Sequence, residues 1–320
     1  MLGARRLAIP HCRGLQPHTD QVGRIVGFMT LEQLRIFIAV AERQHVTQAA
    51  GELNLTQSAT SAAIASLETR YGIKLFDRIG RGIVLTQAGR DFLYEARGVV
   101  ARAKAAEQIL NDLAGLKRGS LTIAASQTVA NYWLPGRIQQ FQAAHPGIAL
   151  RITIANTEQV TQAVHNGIAD LGFVEGETSD PLLAVRKIEG DSLIVVVGRK
   201  HPWAGQTRIA PKSLTATGWI LREPGSGTRS MFEAALGKFG LNISDLVIRL
   251  ELPSNEAVRM TVESGDCATA ISDLVVAQSL KAGTLHRVRI ELPRRSFFVL
   301  RHKERYASQA QKALLASFRI

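Results

Sequence analysis

Cysteine is almost missing from this chain: Cys12 and Cys267 are the only two in 320 residues. So sparse a supply excludes a disulfide framework and a cysteine-based zinc site, and it fits a reducing cytoplasm as the expected location. Long apolar runs are missing as well. No stretch reaches the roughly 18 to 20 apolar residues that a membrane helix needs, so neither a span nor a membrane partner is expected. The marks of catalysis are also absent. There is no nucleophile elbow and no metal-binding histidine pair, so no enzyme, metal or cofactor is expected. Cys267 reads as a core residue and His145, followed by Pro146, as a helix end.

What is present is ordinary globular composition, 46% hydrophobic and 21% charged, in a chain longer than a usual single core. Two domains are expected. The net charge of +12 invites a nucleic-acid partner, but Thr30 to Leu85 carries six Lys/Arg against five Asp/Glu, so DNA affinity there must come from placement rather than bulk charge.

The stretch Leu55 to Gly89, LTQSATSAAIASLETRYGIKLFDRIGRGIVLTQAG, organises the reading. Thr56 is a good N-cap, and Ala59, Ala63, Ile64, Leu67 and Tyr71 follow at helical spacing. The opposite face is small and polar. Thr56, Gln57, Ser58, Thr60 and Ser61 are the residues expected to meet DNA, since hydroxyls and an amide on a slender helix suit base edges in the major groove. Before it, Leu31, Leu34, Ile38 and Ala41 form the stripe of a first helix, and Val46 to Leu53 a second, with Thr47 as its cap. After it, Ile73 to Phe76 and Ile83 to Leu85 read as a hairpin whose turn carries Arg78 and Arg81 as phosphate contacts. The ensemble is an all-α winged helix-turn-helix.

Taken in order, TLEQLRIFIAVAE, VTQAAGELNLTQSATSAAIASLE and YGIKLFDRIGRGIVLTQAG resemble the N-terminal signature of the LysR-type transcriptional regulators over about 60 residues. One departure stands out: Ala62 and Ala63 occupy positions where members often carry basic or amide side chains. The resemblance begins at Met29, so residues 1–28, with Arg5, Arg6, Arg13 and Arg24, are expected to be a disordered extension, 29–85 the DNA-binding domain and 86–118 a linker helix and hinge.

Within that linker, Phe92, Ala96, Val99, Ala103, Ala106, Leu110 and Leu113 step by alternating fours and threes, a heptad seam that wants a partner helix. A homodimer is expected, and the resemblance implies a homotetramer built from two such dimers. From Leu121 onward short apolar strands alternate with helices, an α/β layout with mainly parallel sheets. The resemblance implies that 119–320 is a two-lobed effector domain shaped like a periplasmic binding protein, with lobe I at about 119–189 and 273–320 and lobe II at about 190–272.

In such a fold ligands bind where strands end and helices begin. ASQTVANYWLP offers Ser126, Gln127 and Thr128, and REPGSGTRSMFEAAL offers Ser226, Gly227, Thr228 and Arg229. Asn156, Glu175 and Ser272 stand at other strand ends, with Glu175 an awkward neighbour for a bound anion and Arg229 open to pairing with Glu233 instead. The effector segments look most like the sulfur-assimilation branch of the family, with the carbon-fixation regulators next. That implies a small sulfur or other inorganic oxyanion as effector, or alternatively a phosphorylated metabolite. The function expected is a ligand-responsive transcriptional regulator bound to a double-stranded operator. A periplasmic-type solute-binding protein without DNA function is the alternative, but it accounts only for the last portion of the chain and lacks an export signal.

Overall fold

In a computed structural model of the protein, residues 28–80, 82–113, 119–176, 178–206, 208–290 and 292–318 are described. The disordered extension expected before Met29 therefore falls almost wholly outside the described residues, as do most of the hinge and Arg81. The chain divides into two compact units, one ending at Ala96 and one starting at Arg97.

In the first unit, the Thr30 hydroxyl accepts from the Gln33 N–H and the Gln33 amide oxygen from the Thr30 N–H, both at 3.1 Å. This reciprocal cap starts α1 (Leu31–Arg43). Its buried surface is wider than the expected stripe: Leu31 is 48% exposed, while Phe37 and Val40 are fully buried. The reason is that α1 is covered by both α2 (Val46–Glu52) and α3 (Gln57–Tyr71), and Phe37 meets the Phe92 ring at 4.7 Å. His45, not Thr47, caps α2, its Nδ1 accepting from the Gln48 N–H at 3.4 Å. Thr56 caps α3 from the Ala59 N–H at 3.2 Å, and Gly72 ends it in the left-handed region at φ 63°.

The wing consists of β1 (Phe76–Ile79) paired antiparallel with β2 (Gly82–Leu85). Its first strand starts later than expected, because buried Leu75 and Phe76 anchor the chain whereas Ile73 and Lys74 are exposed. α4 (Gln87–Leu113) follows at once. At Gly89 a Cβ would stand 2.1 Å from the Leu75 carbonyl oxygen, so only glycine lets this helix start against the base of the wing.

The second unit alternates strands and helices. β3 (Gly119–Ser126) leads through a π-helical turn, Val129–Trp133, into α5 (Leu134–Ala144). β4 (Ile148–Ala155), α6 (Thr157–His165), β5 (Leu171–Glu175) and the long β6 (Leu183–Gly198) come next. Then follow β7 (Gly218–Arg222), α7 (Gly227–Lys238), β8 (Val247–Leu252), α8 (Asn255–Ser264) and β9 (Ala268–Ser272). α9 (Asp273–Ala282), β10 (Leu285–Val288), β11 (Arg294–His302) and α10 (Gln309–Ser317) complete it.

The strand order is β4-β3-β5-β11-β6-β9-β7-β8, with β10 also on β6. β3 runs parallel to β4 and β5, and β7 parallel to β8 and β9; the antiparallel pair β6 and β11 crosses between these halves. Each half has its own core. Leu121, Ile123, Trp133, Phe141, Phe173 and Phe297 fill the first, and Leu193, Val195, Trp203, Trp219 and Phe232 the second. Val275 and Val276 of α9 and Leu285 of β10 pack with Ile194 and Val196, so the segment after Ser272 belongs with the second half. The return crossing is made by β11, so the second lobe runs past the boundary at about 272 that the resemblance implies, because Ser272 ends a strand without ending the lobe.

Candidate functional site

The helix expected to read DNA presents Gln57, Ser58 and Ser61 to solvent, with Ala62, Ala65 and Ser66 beside them. Thr60 departs from that set. It is 0% exposed, and its hydroxyl donates to the Thr56 carbonyl at 3.0 Å, so it is a core residue of the helix packing and cannot touch a base. The hydroxyl of Thr56 is engaged as the cap and shared with Ser58 at 3.1 Å. Besides the capping Thr56, the exposed polar residues expected to meet DNA are Gln57, Ser58 and Ser61.

Beside this face, Ser61, Ala65, Glu68, Lys74 and Arg78 line a concavity of about 450 Å3 between α3 and the wing. Arg78 stands on strand β1, not on the turn. The Glu68 carboxylate accepts from the Leu75 and Phe76 N–H groups at 2.8 and 3.2 Å and pairs with Lys74 at 2.9 Å. Partial burial alone would raise its pKa, but Lys74 and the two amides outweigh that and hold it below the usual carboxylate range. Glu68 thus fixes where the wing stands relative to the reading helix. Arg90 spends its guanidinium on the Leu85 carbonyl at 2.8 Å and on Gln87, which clamps the wing to α4.

The heptad positions on α4 separate into two groups. Phe92 packs on Phe37 and Ala96 is 1% exposed, so these two belong to the core of the first unit instead of a dimer seam. Farther along, Ala103 is half-buried, while Val99 at 48%, Leu110 at 67% and Ala106 face solvent. The side chain of Leu113 lies outside the described residues. An apolar row this exposed on a helix has the form of a surface that a partner helix could cover.

In the second unit the two strand-to-helix turns do converge between the lobes, but what they enclose is a carboxylate of the chain itself. Glu175, at the end of β5, is 2% exposed. The Thr157 hydroxyl lies 3.3 Å from its Oε2, and the charge of Arg295 and the hydroxyls of Ser126 and Thr128 stand near. Burial works to raise its pKa, yet Arg295 first and then these hydroxyls pull it below the ordinary carboxylate value. Ser126 Oγ is close enough to contribute to that field but makes no hydrogen bond of normal geometry with any described residue.

Arg295 is the hub. Its fully buried guanidinium forks onto both oxygens of Asp191, with Nη2 at 2.6 Å from Oδ2, and Nη1 donates to the Thr228 hydroxyl at 2.9 Å. Ser272 Oγ donates to the same Asp191 while accepting from the Leu274 N–H at 3.1 Å as the cap of α9. A second layer ties lobe to lobe. Gln127 accepts from the Asn255 N–H at 2.9 Å and donates to the Pro253 carbonyl at 2.6 Å, and Thr128 Oγ1 accepts from Asn255 Nδ2 at 3.1 Å. Arg222 donates to Asn255 Oδ1 at 2.5 Å and pairs with Glu223, which in turn accepts from Asn156 Nδ2 at 3.3 Å. Asn156 also caps α6 through Gln159 at 3.0 Å. At the rim Tyr132 donates to Glu256, and burial followed by that carboxylate pushes the phenol up to about 12.

Two expected ligand contacts are reassigned by this geometry. Arg229 pairs with Glu233 at 2.8 Å and with Glu251, and donates to the Arg222 carbonyl at 3.2 Å, so its guanidinium is committed within its own lobe. Ser226 precedes α7 without a side-chain capping bond, and Gly227 is pressed so tightly on β5 that a Cβ would lie 2.4 Å from the Glu175 carbonyl oxygen. Gly227 is thus a contact between closed lobes. The residues that sequence reasoning passed over are Arg295, Asp191, Arg222 and Asn255. Asn255 was within reach of the same strand-to-helix rule, since β8 ends at Leu252 just before it. Nothing in the Arg294-Arg295 doublet tells which of the two turns inward.

Residues 31–90 match the family described as "Bacterial regulatory helix-turn-helix protein, lysR family", and residues 114–319 the "LysR substrate binding domain". The chain is 32% identical to the HTH-type transcriptional regulator YeiE of Escherichia coli (strain K12), over 90% of this chain and 96% of that protein. It is 33% identical to the RuBisCO operon transcriptional regulator of Allochromatium vinosum, over 85% of each. Its fold is like that of full-length CbnR complexed with its target DNA, at a TM-score of 0.64 and 22% identity over 91% of this chain and 99% of the other.

Proposed function

Because this chain belongs to the LysR-type transcriptional regulators, DNA-binding proteins with an effector-binding domain, we propose that it is a cytoplasmic switch whose effector is a small anion held between the two lobes. The observation that carries the reading is the buried, unpartnered Ser126 hydroxyl among Thr128, Thr228 and Arg295. The hydroxyls are donors suited to an oxyanion and Arg295, held by Asp191, adds positive charge beside them; Glu175 occupies their field in this lobe arrangement. An entering anion competes with Glu175 for them. To admit it, the lobes must part at Gln127, Asn255 and Asn156, and they close again on a different set of contacts. Binding then favours one lobe arrangement, which is the condition for a ligand to act at a distance.

On DNA, Gln57, Ser58 and Ser61 read base edges while Arg78 and Arg81 meet phosphates. The exposed Val99, Ala106 and Leu110 join two copies of α4, and two such dimers assemble into a tetramer on the operator. The effector is a sulfur or other inorganic oxyanion, with a phosphorylated metabolite as the alternative. The test is a thermal-shift panel of sulfate, sulfite, thiosulfate and sugar phosphates, followed by a gel shift on the DNA upstream of the protein's own gene. A hit that leaves the gel shift unchanged, or no hit in the panel, rejects the anion reading.

A further inference from the structure

Away from the interlobe cleft, Arg208, Arg287, Arg289 and Arg294 line a single depression of about 700 Å3 in the second lobe. No acidic residue is among the described residues that line it, and Ile290 and Leu292 form part of its wall. All four arginines are exposed, and none is in an ion pair with a described residue. They come from three parts of the chain that the fold brings together. Arg294 opens β11 opposite Ser192 of β6, Arg287 lies on β10 opposite Val196 of β6, and the segment bearing Arg208 is tied to the Arg289 carbonyl through the Ile209 N–H at 3.5 Å.

Successive residues on a strand face opposite sides. Arg295 therefore points into the cleft, toward Asp191 and Thr228, and Arg294 points away into this depression. The two places are chemically unlike. In the cleft the guanidinium is neutralised by carboxylates of the chain; in the depression four are gathered with no such partner among the described residues. Like charges so placed repel, and a multivalent anion relieves the repulsion while each planar fork meets two oxygens.

We propose that this depression binds a small polyanion carrying two or more phosphate groups, as a second ligand site separate from the cleft. Two phosphates match four guanidiniums in charge, whereas one does not. The volume is that of a small-molecule site, about 300 to 1,000 Å3, and the apolar wall suits the carbon portion of such a ligand. Duplex DNA offers the same phosphate chemistry but as a broad ridge, and the concave shape favours a compact molecule.

The experiment is calorimetric titration of the full-length protein with inorganic pyrophosphate and with orthophosphate, alongside the variants R287E/R289E, R287Q/R289Q and T128A. Pyrophosphate should bind more tightly than orthophosphate, both double variants should lose roughly tenfold to a hundredfold in pyrophosphate affinity, and T128A should titrate as the parent. Equal binding of the two anions, or unchanged affinity in double variants whose circular dichroism matches the parent, overturns the proposal. So does loss of pyrophosphate binding in T128A, which would place the anion in the cleft. Double variants that keep pyrophosphate but lose affinity for random duplex would mark the patch as a DNA contact and overturn it as well. Failure of the cleft reading is seen separately, in the response of T128A to a cleft effector.

Discussion

Replacing Arg295 by methionine tests the electrostatics of the cleft most sharply. Methionine keeps much of the side-chain volume but leaves Asp191 and Glu175 inside the protein without their cation, and Thr228 without its donor. Breaking a buried pair by removing one partner costs about 3 to 5 kcal/mol. With an m-value of about 2.5 kcal/mol per M for a domain of this size, a loss of about 4 kcal/mol lowers the urea midpoint by about 1.6 M. Trp133, Trp203 and Trp219 are the three tryptophans of the chain and all lie in the second unit, so fluorescence reports that unit alone.

The pH dependence supplies the refutation. In the parent, Glu175 is held below its usual range, so its contribution is fully present above the unfolded carboxylate value of about 4.3 and is lost only as pH falls through the lower folded value. Parent stability from this group is thus flat between pH 8 and 5. In R295M the cation is gone and burial raises Glu175, which penalises the folded state at high pH and relaxes as the group takes up a proton, by about 1.4 kcal/mol for each tenfold gain in proton affinity on folding. The gap between parent and variant should shrink from pH 8 to pH 5, and adding D191N should restore part of the loss. An equal gap at both pH values, with no recovery in the double variant, would refute this account of the cleft.

Gln57→Ala should relax discrimination at one base pair of each half-site at a cost of roughly 1 to 3 kcal/mol, whereas Thr60→Val, a buried position, should bind the operator as the parent does; fluorescence anisotropy with matched and mismatched duplexes separates them. Leu110→Glu places a charge on the exposed seam and should shift sedimentation toward monomer and abolish operator binding while the tryptophan unfolding transition stays in place. Thr128→Ala should weaken effector binding without changing DNA binding by the effector-free protein. Finally, if an anion takes Arg295 and the hydroxyls from Glu175, the Glu175 pKa rises and binding takes up a proton, so calorimetry in buffers of different ionisation heat should show uptake and affinity should increase as pH falls; proton release would mean that a cationic group of the ligand faces Glu175 instead.

Local chemistry settled much of this molecule. The cap at Thr56 and the alternation of apolar strands with helices after Leu121 are short-range features, and each stands where the pattern alone puts it. Strand-to-helix turns were legible for the same reason, since a strand followed by a small polar residue and a helix is a local signal. The tertiary structure decided what those turns face. Thr60 reads as a polar surface position until helix packing buries it, Phe92 reads as dimer seam until Phe37 packs beside it, and Arg229 reads as an anion ligand until Glu251 arrives from a neighbouring strand. Most of all, Arg295 meets Asp191, 104 positions away, and Thr228, 67 away, because β6 and β11 cross side by side. No spacing rule reaches that far. A charge is committed or free according to its neighbours in space, and only the packed sheet brings those neighbours to it.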